Sequence, residues 1–136
     1  MDRFTGRYSP YLFAILRIVS GLLFAMHGSQ KLFGWPGDKP LVEIASMMGF
    51  AGIVELVGGL LIAIGFLTSF AAILASIQML VAYFMAHAPQ GGIPLLNQGE
   101  LALLYCFLFL YIAAHGAGIW SVDGSRKSVP NKGFAT

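Results

Sequence analysis

Apolar residues run through this chain in four blocks, each separated from the next by a short polar or turn-forming stretch. The first block covers residues 11–33. Ser9 and Pro10 precede it and suit an N-cap and a first helical position. Residues 34–40 form a loop. The second block covers 41–66, with Pro40 placed to open it. Its early part, 41–48, carries Glu43 and reads as interfacial, and its apolar core starts near Met47. Thr68 and Ser69 form a very short connection with N-cap chemistry, and the third block covers 69–87. A turn-rich Pro-Gln-Gly-Gly-Ile-Pro run at 89–94 leads to the fourth block, 98–120. A polar tail, 123–136, ends the chain.

Blocks of this length match the roughly 20 residues that a helix needs to span a bilayer. Inside lipid every backbone polar group must be paired internally. The runs are too long and too evenly apolar for alternating barrel strands. The expected fold is therefore all-α: an integral membrane bundle of four transmembrane helices over residues 1–122, followed by the tail.

Composition supports this. Of 136 residues, 57% are hydrophobic and 10% charged, against roughly 25% charged in soluble domains. The mean hydropathy is +0.77. A net charge of +2 with no basic, aromatic-laced face argues against a nucleic-acid partner. The single cysteine, Cys106, sits in an apolar run and reads as a packing residue. Arg3 and Arg7 before an apolar stretch resemble the start of a signal peptide. No small-residue cleavage site follows at His27–Gln30, so the segment is expected to stay as a span. Arg3 and Arg7 at one end and Arg126, Lys127 and Lys132 in the tail put both termini on the cytoplasmic side.

Ionisable groups within spans are costly, so they are the first functional candidates. Arg17, His27 and Lys31 lie in the first block and Glu55 in the second; His87 ends the third, and Glu100 and His115 lie at the ends of the fourth. Gln78 is a further polar residue mid-span. His27 and Lys31, four apart, share a helix face. Glu55 lies about eight residues, or roughly 12 Å, below the outer end of its helix. Arg17 is long enough to reach toward Glu55, and an Arg17–Glu55 ion pair is expected. Gly21 and Gly28 fall on one face of the first helix, and Gly52 and Gly59 share a face with Glu55. Small residues let membrane helices approach closely, which turns Glu55 into the bundle.

Structural explanations compete at each position. Lys31 can snorkel to the interface. Glu100, three after Asn97, makes a capping-box-like start. His87 and His115 suit helix ends. No Walker motif, dinucleotide fingerprint or HExxH is present, and no metal site is expected.

Taken together, these residues resemble the DoxX family of small four-helix membrane proteins. The likeness rests on Arg17-x3-Gly21-x2-Phe24-x2-His27-Gly28-x2-Lys31, on Gly52-x2-Glu55-x2-Gly58-Gly59-Leu60 with Gly65 and Thr68, and on Gly99-Glu100-Leu101, Leu104-Tyr105 and Gly116-x-Gly118-x-Trp120-Ser121-x-Asp123. It covers about residues 11–123. The ending differs mildly from the commoner aromatic-Ser-Leu-Asp. The resemblance implies a bacterial inner-membrane, multi-pass protein. It also implies a redox-associated role: the family has several roles, some members being subunits of thiosulfate:quinone oxidoreductase or quinol oxidase assemblies, others associated with redox defence complexes, and many called putative oxidoreductases.

The expected function is that of a redox-associated subunit with a polar intramembrane pocket for a quinone or small lipophilic molecule. His27 or Lys31 would donate to a quinone carbonyl, Glu55 or Glu100 would relay protons, and Arg17 would hold Glu55 ionised. Phe24, Tyr83 and Tyr105 would pack on the ring. The chain shows no redox centre of its own, so a partner subunit or bound cofactor would supply electrons, and whether the chain is itself an enzyme stays open. The alternative is a carrier, permeation or assembly subunit whose buried charges are structural. Besides the bilayer, a partner subunit or a second copy of the chain is expected.

Overall fold

The computed structural model describes residues 2–127. Helix α1 (Asp2–Gly6) is followed by α2 (Ser9–Phe33), α3 (Met47–Ile64) and α4 (Thr68–Ala82). The chain then passes through a wide π-helical turn, Tyr83–His87, a 3-10 turn, Ala88–Gln90, and α5 (Pro94–Asn97). Helix α6 (Glu100–His115) and the short α7 (Val122–Lys127) complete it. Among the described residues every regular element is helical.

Three helical stretches, Ser9–Phe33, Met47–Ile64 and Thr68–Gln90, are long and apolar enough to cross a membrane, and Glu100–His115 is a shorter apolar helix. Rows such as Leu12, Val19, Leu22 and Leu23 on α2, or Leu104 and Phe107 on α6, stand exposed and face the lipid. The protein is a small helical membrane bundle.

Its helix ends differ from the sequence expectation in instructive ways. Gly34 ends α2 in a left-handed conformation (φ 74°), and its N–H donates to Gln30 O, as a C-terminal glycine does. The second helix begins at Met47 rather than near Pro40, because Ser46 caps it: its hydroxyl accepts from the Gly49 N–H at 3.1 Å. The expected cap at Thr68–Ser69 is supplied instead from 55 residues away. The Asp123 carboxylate accepts from the Leu67 and Thr68 amides at 3.1 and 2.9 Å and from the Thr68 hydroxyl at 2.8 Å. Asp123, at the start of the polar tail, is thereby tied to the bundle.

Helix α2 packs along α3, α4 packs along α6, and α3 and α4 join the two pairs. The α2–α3 contact is made backbone to backbone. A methyl at Gly21 would lie 2.6 Å from the Ala63 amide nitrogen, and one at Gly59 would lie 2.5 Å from both Ala25 N and Gly21 O. A methyl at Gly28 would meet Gly52 O at 2.5 Å. Gly21 with Gly59 and Gly28 with Gly52 thus form two contact points one heptad apart on antiparallel helices. Lipid supplies no hydrophobic force between helices, so dispersion at such close approach holds the pair. On the other side, Ala71, Ala72, Ala75 and Met79 of α4 pack with Cys106, Phe109 and Ile112 of α6, and Phe24 and Ile62 complete the core. Ser76 donates to Cys106 O at 2.7 Å, which satisfies a buried hydroxyl.

Gly58 is a built-in control, because a methyl there meets nothing within 4 Å. Gly28→Ala is expected to destabilise the purified protein by about 1–3 kcal/mol through overpacking. Gly58→Ala should shift stability by less than about 0.5 kcal/mol. Unfolding of both variants in detergent checks this, and equal stability would mean that the two helices do not pack through Gly28.

Candidate functional site

Two polar centres are built into the bundle, and the close α2–α3 contact positions both. The first lies where α2 begins and α3 ends. Arg17 is fully buried, and its guanidinium is committed to main-chain carbonyls. Nη1 donates to Ile62 O and Ala63 O at 2.9 and 2.7 Å, and Nη2 donates to Ile119 O and Trp120 O at 3.2 and 2.7 Å. Ile62 and Ala63 lie in the last turn of α3, whose carbonyls are the negative end of the helix dipole. Gly65 ends that helix at φ 72°, and a side chain there would run into Ser121. Asp123 stands close enough for its charge to act on Arg17.

The Asp123 carboxyl is held below its usual range. Partial burial works against this, but the hydrogen bonds from Thr68 and Leu67 and the charge of Arg126 outweigh it. The Trp120-Ser121-Val122-Asp123 ending is therefore a lock: its carbonyls take Arg17, and its carboxylate takes the start of α4.

The second centre lies mid-bundle. The expected Arg17–Glu55 pair does not form; Glu55 pairs with Lys31, whose Nζ donates to Oε1 at 2.5 Å. The reason is the helix register. Gly52 has no side chain, so the stem of Lys31 lies against it: a methyl at Gly52 would sit 3.2 Å from Lys31 Cβ. The ammonium then reaches Glu55 one turn deeper on the same face, while Arg17 is held at the far end of α3. Lys31 keeps 26% exposure and Glu55 only 2%. Gln78 of α4 also donates to Glu55 Oε1, from Nε2 at 2.9 Å, and stands 3.4 Å from Ala51 O.

Lys31 and Gln78 both donate to the same carboxylate oxygen. Glu55 Oε2 and Gln78 Oε1, both buried, have no hydrogen-bond partner. Turning the amide over would set its oxygen against Glu55 Oε1 and Ala51 O, acceptor against acceptor, so the orientation follows from the network. Two orphaned acceptors in one centre are costly, each at about 1–3 kcal/mol.

The remaining candidates spread around this centre. Tyr105 is buried, lies within electrostatic reach of Glu55, and stacks on Phe109 with ring centroids 5.3 Å apart. Phe24 packs on both rings, at 5.7 and 4.8 Å. His27 is exposed; it meets the Tyr105 ring edge-on at 6.2 Å and lines an open cavity of about 160 Å³ with Leu23, Met26, Gln30 and Pro36. A second cavity, about 250 Å³, lies at the other end, lined by Ser69, Gly116, Ala117, Asp123 and Arg126. Neither reaches Glu55.

Tyr83 and Glu100 belong to a different neighbourhood. The π-helical turn, in which the Ala88 N–H donates to Tyr83 O, keeps Tyr83 buried with His87 over its ring. Asn97, fully buried, donates to Tyr83 Oη and Gly91 O at 3.1 and 2.8 Å and accepts from the Gly99 N–H at 2.8 Å. Asn97 therefore ties the loop to the start of α6 without forming the expected capping box, and Glu100 stands exposed in the first turn of α6. His115 stacks on Phe13 at 3.7 Å at the opposite helix end. Among the described residues no group of three or more His, Cys, Asp or Glu could hold a metal ion.

The bundle, its glycine-packed helix pair and its mid-span charges define a small multi-pass membrane protein of the DoxX type. The chain belongs to the DoxX family, whose sequence model matches residues 12–88. It is 39% identical over 125 residues to a Haemophilus influenzae protein described as "Uncharacterized protein", covering 86% of this chain and 92% of that one. It is 30% identical over 115 residues to the "Inner membrane protein YqjF" of Escherichia coli, covering 80% and 87%. It is 23% identical over 113 residues to the "Putative oxidoreductase CatD" of Bacillus subtilis, covering 80% and 82%. No solved structure matches the chain.

The ion pair can be weighed directly. Lys31→Met leaves a buried, uncompensated carboxylate and is expected to cost about 3–5 kcal/mol. Lys31→Met combined with Glu55→Gln should recover most of that loss. A double-mutant cycle on thermal unfolding measures the coupling, and additive effects would show that the two side chains do not interact.

Proposed function

We propose that the chain is a redox-associated subunit of the bacterial inner membrane, with Lys31, Glu55 and Gln78 as a polar intramembrane centre. That centre receives the head of a quinone or similar small lipophilic molecule, and a partner subunit supplies the electrons. The observation that carries this reading is the unpaired, fully buried carboxylate oxygen of Glu55. A buried carboxylate oxygen without a hydrogen-bond partner calls for an explanation, and a ligand supplies one. The names of the Escherichia coli and Bacillus subtilis relatives agree with an inner-membrane location and an oxidoreductase role. In this reading Glu55 relays a proton, Lys31 sets its charge, and Phe24 and Tyr105 supply aromatic surface. His27 guards the lipid-facing side.

In this reading both termini lie in the cytoplasm, because Arg3, Arg7, Arg126, Lys127 and Lys132 concentrate positive charge at the two ends of the sequence. A cysteine introduced between residues 34 and 40 should then react with a membrane-impermeant maleimide in intact spheroplasts. Protection of that cysteine inverts the orientation.

The rival reading is a non-enzymatic carrier, permeation or assembly subunit. It is favoured by one observation: the two cavities described above, about 160 and 250 Å³, are smaller than the roughly 300 Å³ of an ordinary ligand pocket, and neither is lined by Glu55. Absorption spectra and mass spectrometry of lipid extracts from the purified protein separate the two. A co-purifying quinone that is lost in Glu55→Gln, with insertion retained, is the expected result. Phospholipid alone, with a Glu55→Gln variant that only loses stability, favours the structural role.

A further inference from the structure

His27 is at odds with its surroundings. Of the Arg, Lys, His, Asp and Glu side chains in the described spans, it alone is exposed more than one turn from a helix end. It lies about 9 Å before the end of α2 at Phe33. Among the described residues it makes no hydrogen bond, and its ring meets the edge of Tyr105. An imidazole is too short to reach the headgroups from that depth, and polar groups so placed normally turn inward or find a partner. Gln30 stands beside it. One of its amide N–H groups donates to Pro36 O at 2.9 Å, which leaves its Oε1 free to accept.

The cavity of about 160 Å³ at these two side chains is walled by Leu23, Met26, His27 and Gln30, together with Pro36 of the following loop. The four helix residues stand at i, i+3, i+4 and i+7. That is the four-residue hole that receives one side chain of a facing helix in knobs-into-holes packing. It lies on the side of α2 opposite Gly21 and Gly28, where exposed Leu12, Leu16, Val19, Leu23 and Met26 follow at spacings of four and three. This is the period that a parallel helix pair needs. We infer that two copies of this chain pair through α2, about a two-fold axis along the membrane normal. Copies inserted the same way are parallel, so each presents the same hole at the same depth. The knob that enters it is Met26 of the partner subunit, whose unbranched thioether fills irregular gaps. Side chains lean toward the helix N-terminus, so Gln30 of the partner subunit reaches down to the level of His27. The His27 N–H donates to that free Oε1, and the symmetry makes the bond twice. An apolar helix of another protein would fill the hole but leave both polar groups bare; a second copy satisfies them.

Two measurements on the full chain test this. In membrane vesicles treated with copper phenanthroline, Leu23→Cys and Met26→Cys should cross-link into a dimer. Val57→Cys on α3 and Phe107→Cys on α6, which are also exposed, should not. The native Cys106 is buried and serves as the background. In liposomes, energy transfer between labelled copies, followed as lipid dilutes them, gives the dimer constant. His27→Leu and Gln30→Leu should each weaken it about tenfold, the size of two interhelical hydrogen bonds in a bilayer. Both changes lie on the lipid-facing side, so the fold is expected to survive them, and unchanged thermal unfolding in detergent checks this. Cross-linking from Val57→Cys or Phe107→Cys as strong as from Met26→Cys overturns the inference. So does a monomer at every dilution, which would leave the hole to a helix of another protein. A dimer constant unchanged in both leucine variants overturns the His27–Gln30 contact on which the pairing was argued.

Discussion

The close approach of α2 and α3 is the constraint from which the other features follow. With Gly21 against Gly59 and Gly28 against Gly52, the two helix backbones touch at two points a heptad apart. No side chain larger than hydrogen fits between them, so the register of one helix on the other is set. Register in turn decides which polar groups meet. Lys31 lies one turn beyond Gly28 and crosses α3 at Gly52, so its ammonium meets Glu55. Arg17 lies one turn before Gly21 and meets the last carbonyls of α3. A shift of one turn would break both arrangements, leaving a carboxylate and a guanidinium unpaired in lipid, where neither has water to turn to.

The two centres solve different problems. At the Arg17 end, donors meet acceptors from three parts of the chain: the end of α3, residues Ile119 and Trp120, and through Asp123 the start of α4. Four of the five guanidinium donors are used, and only Nε stays without a partner. Helix ends that lack water must find such partners within the protein. That end is a closure device, which ties three parts of the chain together through Arg17 and Asp123. The mid-bundle centre has the opposite balance. Lys31 and Gln78 both meet one oxygen of Glu55, and the other oxygen is left without a partner.

Much of this architecture was legible in the chain. Four apolar blocks, the shared faces of Gly21 with Gly28 and of Gly52 with Glu55 and Gly59, and the inward turn of Glu55 all follow from helical periodicity. Partner choice was not legible. Reach alone allows Arg17 or Lys31 to meet Glu55, and deciding between them needs the antiparallel register, which no local rule supplies. The cap on α4 was hidden for a similar reason: Thr68 has N-cap chemistry of its own, yet it donates to Asp123 instead. Asn97 looked like a capping residue and proved to be a buried tie between a π-helical turn and α6. Gln78 carried a signal, being an amide in mid-span, but its role depends on α4 lying beside α3, a long-range fact.

The partners they find separate the two polar centres more sharply than burial does. Arg17 and Glu55 are equally hidden, and both are costly to place in lipid. Arg17 is repaid by four carbonyls. Glu55 is joined by a lysine that reaches in from a partly exposed position and by an amide from a neighbouring helix, and one of its oxygens still faces nothing. Lys31 and Gln78 are also the flexible groups of the centre, since each is a long side chain with part of its length outside the core. A structural pair would be more stable with its partners drawn from rigid, buried positions and its acceptors filled. The centre has instead an oxygen without a partner in a deep position and two long side chains at its edge.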